Sequence, residues 1–96
     1  MEEHLYIVTY DIEDQKRWRR VFKLMNGYGE WLQLSVFQCR LSKKRYVQLM
    51  SQLDGLIMDD KDHVIMLDLG QAEGIDPRIT SLGRTFKPIE REVVVV

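Results

Sequence analysis

The sequence predicts an α+β domain in which two helices cover one face of a mainly antiparallel sheet. Three observations predict it. Short runs rich in β-branched and aromatic residues alternate with two segments of helical periodicity. Clusters of Gly, Asn and Asp punctuate the boundaries between them. The chain has 96 residues, which is the length of one domain.

The first strand spans residues 5–12. It is β-branched and aromatic and nearly apolar on both faces, as a central strand is, and it stops at Asp11, Glu13 and Asp14. A helix follows, with Asp14 as its N-cap. Trp18, Val21, Phe22 and Met25 fall at i, i+3, i+4 and i+7 and make one apolar stripe. Lys16, Arg17, Arg19, Arg20 and Lys23 fill its other sides. Asn26-Gly27-Tyr28-Gly29 ends the helix, with glycine expected in the left-handed C-cap conformation.

Residues 31–41 are strand-forming and carry no Asn-Gly type turn. They read equally as one bent strand or as two strands meeting near Ser35. Ser42 caps a second helix, whose stripe is Tyr46, Leu49, Met50, Leu53 and Ile57. Asp59-Asp60-Lys61-Asp62 reads as a polar turn, and residues 63–69 as another buried strand closed by Gly70. The resulting order, β-α-β-β-α-β, is that of the ferredoxin-like fold. Residues 71–88, with Gly74, Pro77, Gly83 and Pro88, read as a loop.

Residues 89–96 close the sequence in four valines, and a strand this apolar needs a partner. It can close the edge of its own sheet or add to the sheet of a second subunit. The second arrangement is favoured, because a two-layer domain this small leaves a sheet face to bury. The expectation is a single domain over 1–96 that forms a homodimer. Its core lies at about 4–70, with a loop at 71–88 and a C-terminal dimer strand at 89–96.

Hydrophobic residues make up 45% and charged residues 30%, which places the chain among folded proteins. The net charge is −1 and the isoelectric point about 6.1, so a nucleic-acid-binding surface must be local. The single cysteine, Cys39, forms no intrachain disulfide. The acidic start Met1-Glu2-Glu3-His4 is unlike a signal peptide, and no apolar run reaches the ~20 residues of a membrane span. A cytoplasmic location with no membrane partner is expected.

Asp11 is the foremost candidate for chemistry. It ends a central strand where a helix begins, so its carboxylate is both accessible and rigidly held. Mg²⁺ takes one or two protein carboxylates and keeps several waters, so one Asp per chain makes half a site and a two-fold dimer presents a pair. Two carboxylates around a metal activate water against a phosphodiester. The competing reading is a turn or capping aspartate, although Glu13 and Asp14 are better placed for capping. Lys16, Arg17, Arg19, Arg20 and Lys23 form a one-sign cluster suited to phosphate contacts, against the alternative of a solvated helix face. His4 and His63 share no metal-ligand spacing, and Cys39 reads as a buried apolar residue. No Gly-rich phosphate loop, zinc pattern or nucleophile elbow is present.

Three features occur together: the strand Tyr6-Ile7-Val8-Thr9-Tyr10-Asp11-Ile12 leading into an arginine-rich helix, the segment Leu32-Gln33-Leu34-Ser35-Val36-Phe37-Gln38, and the tail Phe86-Lys87-Pro88-Ile89-Glu90-Arg91-Glu92 before the valines. In this order and spacing they resemble the CRISPR-associated protein 2 family over essentially the whole chain. The resemblance implies a ferredoxin-like homodimer whose last strand packs on the partner. It implies Asp11 facing its symmetry mate and binding Mg²⁺, with Mn²⁺ as a substitute. It implies a metal-dependent nuclease on single-stranded RNA or duplex DNA that takes part in spacer acquisition. It equally implies a dimeric scaffold that holds foreign duplex DNA and bridges CRISPR integrase subunits. Arg17, Arg19 and Arg20 match the basic helix of the family, Lys16 beside them is a further nucleic-acid-binding candidate, and Tyr10, Ser35 and Phe37 fall in the family's motifs as supporting residues. Gln38 stands where many relatives have Glu. A toxin-like messenger-RNA nuclease of the same fold and a small-molecule regulatory domain are the rival readings.

Overall fold

The computed structural model describes residues 2–80 together with 82 and 83. Six elements follow one another: β1 (Glu3–Asp11), α1 (Gln15–Asn26), β2 (Glu30–Gln33), β3 (Val36–Ser42), α2 (Lys43–Leu56) and β4 (His63–Gln71). The four strands form one sheet in the order β2-β3-β1-β4, and every pairing is antiparallel. β1 has a partner on each side and is a central strand, as expected.

Side chains on a strand alternate between faces, and this alternation builds the core. Tyr6, Val8 and Tyr10 of β1 point to one face together with Phe37, Cys39 and Leu41 of β3. Val21, Phe22 and Met25 of α1 and Leu49 and Leu53 of α2 close over them. Trp18 packs against this core and stacks on Phe22 with ring centroids 5.0 Å apart. Both helices start on the expected caps. Asp14 accepts from the Arg17 N–H, and Ser42 accepts from the Arg45 N–H.

The other face of the sheet carries Ile7, Thr9 and Asp11 of β1, Val36 and Gln38 of β3, and Ile65 and Leu67 of β4, by the same alternation. No described helix covers it. Ile65 is 44% exposed, Leu67 50% and Leu69 52%. The expectation of a buried fourth strand is therefore corrected. β4 is an edge strand with one apolar side open.

Residues 31–41 hold two strands rather than one bent strand. They break at Leu34 and Ser35, where Leu34 takes a φ of 36°. Its left-handed backbone lets β2 reverse into β3 without glycine. Gly27 has a φ of −79°, so the expected left-handed cap of α1 is absent. The glycine needed here is Gly29, where a Cβ would stand 2.4 Å from the Gln38 carbonyl oxygen and from Cys39 Sγ. The stripe of α2 is narrower than expected, because Met50 is 40% exposed.

The beginning of the expected loop is held in place. Ala72 is buried and its N–H donates to the Glu3 carbonyl at 2.8 Å. Arg40 donates to the carbonyls of Ala72 at 2.9 Å and Ile75 at 2.7 Å. The expected C-terminal dimer strand at 89–96 lies outside the described residues. Among the described residues no helix is long and apolar enough to cross a membrane.

Candidate functional site

Asp11 is the last residue of β1 and pairs in register with His63, the first residue of β4. It is exposed, and its carboxylate makes no hydrogen bond or ion pair among the described residues. Its neighbours are committed elsewhere. Asp14 caps α1, Glu13 lies 3.8 Å from Lys61 Nζ, and Asp62 is enclosed. Asp11 is thus an accessible carboxylate with no internal side-chain partner at the end of the central strand, and Asp59 and Asp60 in the loop before β4 are exposed as well. Such a group suits a hard divalent cation that keeps most of its water. Among the described residues no three His, Cys, Asp or Glu side chains converge on one point, so one chain offers an incomplete set of ligands.

The polar turn expected at Asp59-Asp60-Lys61-Asp62 is present, and its last residue, Asp62, is buried. Its carboxylate accepts from the Glu13 N–H at 3.0 Å, the Met58 N–H at 2.9 Å, Arg17 Nε at 2.8 Å and Arg17 Nη2 at 3.2 Å. The Arg17 guanidinium, followed by the two backbone donors, holds the Asp62 carboxyl well below the usual carboxylate range. Arg17 in turn is held above its ordinary value by the bond to Asp62. A carboxylate so placed was invisible in the sequence because two of its three partner residues, Arg17 and Glu13, lie 45 and 49 residues away.

Tyr10 and Ser35 stand next to the site end of the sheet. The Tyr10 N–H donates to the Ser35 carbonyl at 3.1 Å, and Trp18 Nε1 donates to Ser35 Oγ at 2.8 Å. Ser35 thereby ties the β2–β3 turn to both β1 and α1. The Tyr10 hydroxyl is buried without a hydrogen-bond partner of good geometry. Burial pushes its pKa up, and the nearby Ser35 offsets only part of this. Phe37 is fully buried between Tyr10 and Phe22, with centroids at 6.3 Å and 5.6 Å. Tyr10 and Phe37 pack in the core, on the face of the sheet opposite Asp11.

The basic residues of α1 divide into two groups. Arg17 is forked on Asp62. Lys16, Arg19, Arg20 and Lys23 are exposed and make no ion pair among the described residues. His4 Nδ1 lies 2.9 Å from Asp68 Oδ1 across β1 and β4, a structural pairing. Cys39 sits in the core, where burial pushes its thiol up to about 12 and keeps it neutral.

The family model for CRISPR associated protein Cas2 matches residues 4–73. The CRISPR-associated endoribonuclease Cas2 of Geobacter sulfurreducens is 53% identical over 98% of this chain and 99% of its own. The CRISPR-associated endoribonuclease Cas2 1 of Rhodospirillum rubrum is 54% identical over 98% of this chain and 92% of its own. Among solved structures, Streptococcus pyogenes Cas2 superposes with a TM-score of 0.72 at 31% identity, covering 82% of this chain and 99% of that one. A hypothetical protein from Thermus thermophilus gives the same TM-score at 29% identity, covering 91% of this chain and 99% of that one. An arginine-rich helix behind a strand-end aspartate, on this sheet and with these relatives, makes the chain a member of the CRISPR-associated protein Cas2 family.

Proposed function

We propose that the protein is a CRISPR-associated, metal-dependent endonuclease whose site is completed by a second copy of the chain. The observation that carries this reading is Asp11, an exposed carboxylate on the uncovered face of the sheet, at the end of its central strand. The strand order β2-β3-β1-β4 with both helices on the opposite face supports the ferredoxin-like topology. The apolar side chains beside Asp11 support a homodimer formed through that face. The names of the two relatives speak for RNA as substrate.

Asp11 from each subunit would hold Mg²⁺ or Mn²⁺, which supplies charge neutralisation and an activated water for attack on phosphorus. Asp11 would hold that ion at the end of β1. The exposed Lys16, Arg19 and Arg20 neutralise flanking phosphates and hold the strand against the dimer. Spacer acquisition is the cellular process to which this activity belongs.

The same exposed cations favour a second reading, a scaffold that holds duplex DNA and bridges integrase subunits. Labelled single-stranded RNA and duplex DNA, incubated with and without Mg²⁺, separate the two readings. Asp11→Ala is expected to lower cleavage at least 100-fold while the circular dichroism spectrum and oligomeric state stay unchanged. The Arg19→Glu, Arg20→Glu double variant is expected to weaken binding and flatten its salt dependence. Undiminished cleavage by Asp11→Ala would refute the enzyme. Absent cleavage with intact duplex binding would leave the scaffold.

A further inference from the structure

Asp11 ends β1 and Arg17 lies in the first turn of α1, and the carboxylate of Asp62 bonds both Arg17 and the backbone of Glu13 in the connection between them. The Asp62 side chain is fully enclosed, and Arg17 retains only 17% exposure. Four N–H groups converge on the carboxylate from three chain segments: Glu13 in the connection, Arg17 in the first turn of α1, and Met58 in the loop before β4. Asp62 also directly precedes His63, the cross-strand partner of Asp11. Asp11 is therefore tied to Asp62 by two routes, one through the Asp62 side chain and one through its backbone. Two residues onward, Glu13 is bonded to Asp62, and across the sheet His63 is covalently attached to it.

We infer that Asp62 and Arg17 are positioning residues for Asp11, and that Arg17 serves the site from inside the fold rather than by gripping phosphate. This inference rests on the reading of Asp11 as a metal ligand. A fork of two N–H donors needs a planar guanidinium, so Lys at position 17 keeps the charge but cannot reproduce both bonds. A carboxamide at position 62 loses one acceptor oxygen and faces the guanidinium without charge. Either change frees the 12–14 connection, and a metal ligand displaced by a fraction of an ångström binds its ion weakly. Arg19 and Arg20, with no such internal partner among the described residues, remain the phosphate contacts.

The test uses the full-length ¹⁵N-labelled protein and Mn²⁺. Paramagnetic broadening of the Ile12 and Glu13 amide signals reports metal at Asp11 without requiring turnover. A labelled DNA duplex, titrated at several salt concentrations, reports phosphate contacts. Arg17→Lys and Asp62→Asn are expected to move the Mn²⁺ midpoint at least tenfold higher while duplex affinity and its salt slope stay within twofold of wild type. The Arg19→Ala, Arg20→Ala double variant is expected to do the reverse. If Asp62→Asn fails to fold, Arg17→Lys carries the test. An unchanged Mn²⁺ midpoint in Arg17→Lys, with a reduced salt slope, would make Arg17 a phosphate contact and overturn the inference. Asp11→Ala separates the two levels. Unaltered broadening in that variant removes the metal reading itself, whereas lost broadening there beside an unchanged Arg17→Lys removes only the positioning role.

Discussion

Asp62 accepts four hydrogen bonds inside the protein, and the Arg17 guanidinium holds its folded-state pKa below the ordinary carboxylate value of about 4. A depressed pKa contributes stability that is present above the ordinary value and is lost as pH falls through the folded one. The melting temperature of the wild type should therefore decline steeply below about pH 4. Asp62→Asn should melt lower at pH 7 and show a shallower decline in acid. Parallel thermal melts of the two proteins from pH 7 to pH 2 check this, and parallel acid slopes would show that Asp62 is not the titrating group. Gly29 makes a different demand on its position. Its backbone lies against Gln38 and Cys39 with no room for a Cβ. Gly29→Ala should cost about 1–3 kcal/mol in urea unfolding, since the neighbouring backbone must shift to admit the methyl group. A loss below a few tenths of a kcal/mol would mean that β3 yields freely.

At the scale of elements, α1 was the most legible part of the sequence. Its stripe Trp18, Val21, Phe22 and Met25 and its cap Asp14 are all where the periodicity and cap chemistry put them. These features depend on neighbours within one or two turns, which a sequence displays directly. The sequence left residues 31–41 open between one bent strand and two strands meeting near Ser35, because the reversal uses Leu34 at a φ of 36° rather than a glycine or Asn-Gly pair. The openness of β4 was hidden for a related reason. An apolar run reads alike in a central strand and in an edge strand, and only the sheet order distinguishes them. The Asp11 position at the strand end was readable from composition and boundary. The internal commitment of Arg17 was not, because it depends on Asp62, 45 residues away in the loop between α2 and β4. α1 consequently presents a split face, with Arg17 turned to Asp62 and Arg19 and Arg20 turned to solvent.

At the scale of the whole molecule, the two helices close one side of the sheet and leave Ile65, Leu67 and Leu69 of β4 half exposed on the other. An apolar sheet face of this kind is stable in water when a second layer covers it. In the proposed homodimer that layer is the same face of a second subunit. Leu67→Lys places a charge on the face without touching the core, and light scattering after size exclusion should then report a monomer. A dimer of undiminished stability would place the interface elsewhere. The proposed site follows from the same geometry, because Asp11 shares that face.

The most direct measurement is cleavage by a heterodimer in which one chain is wild type and the other is a tagged Asp11→Ala chain, isolated through the tag. A site built from one Asp11 of each subunit predicts that this heterodimer cleaves at less than about one tenth of the wild-type rate, since one lost carboxylate removes a shared metal ligand worth at least ~1.4 kcal/mol. Half of the wild-type rate would contradict the account, because each chain would then carry an independent site.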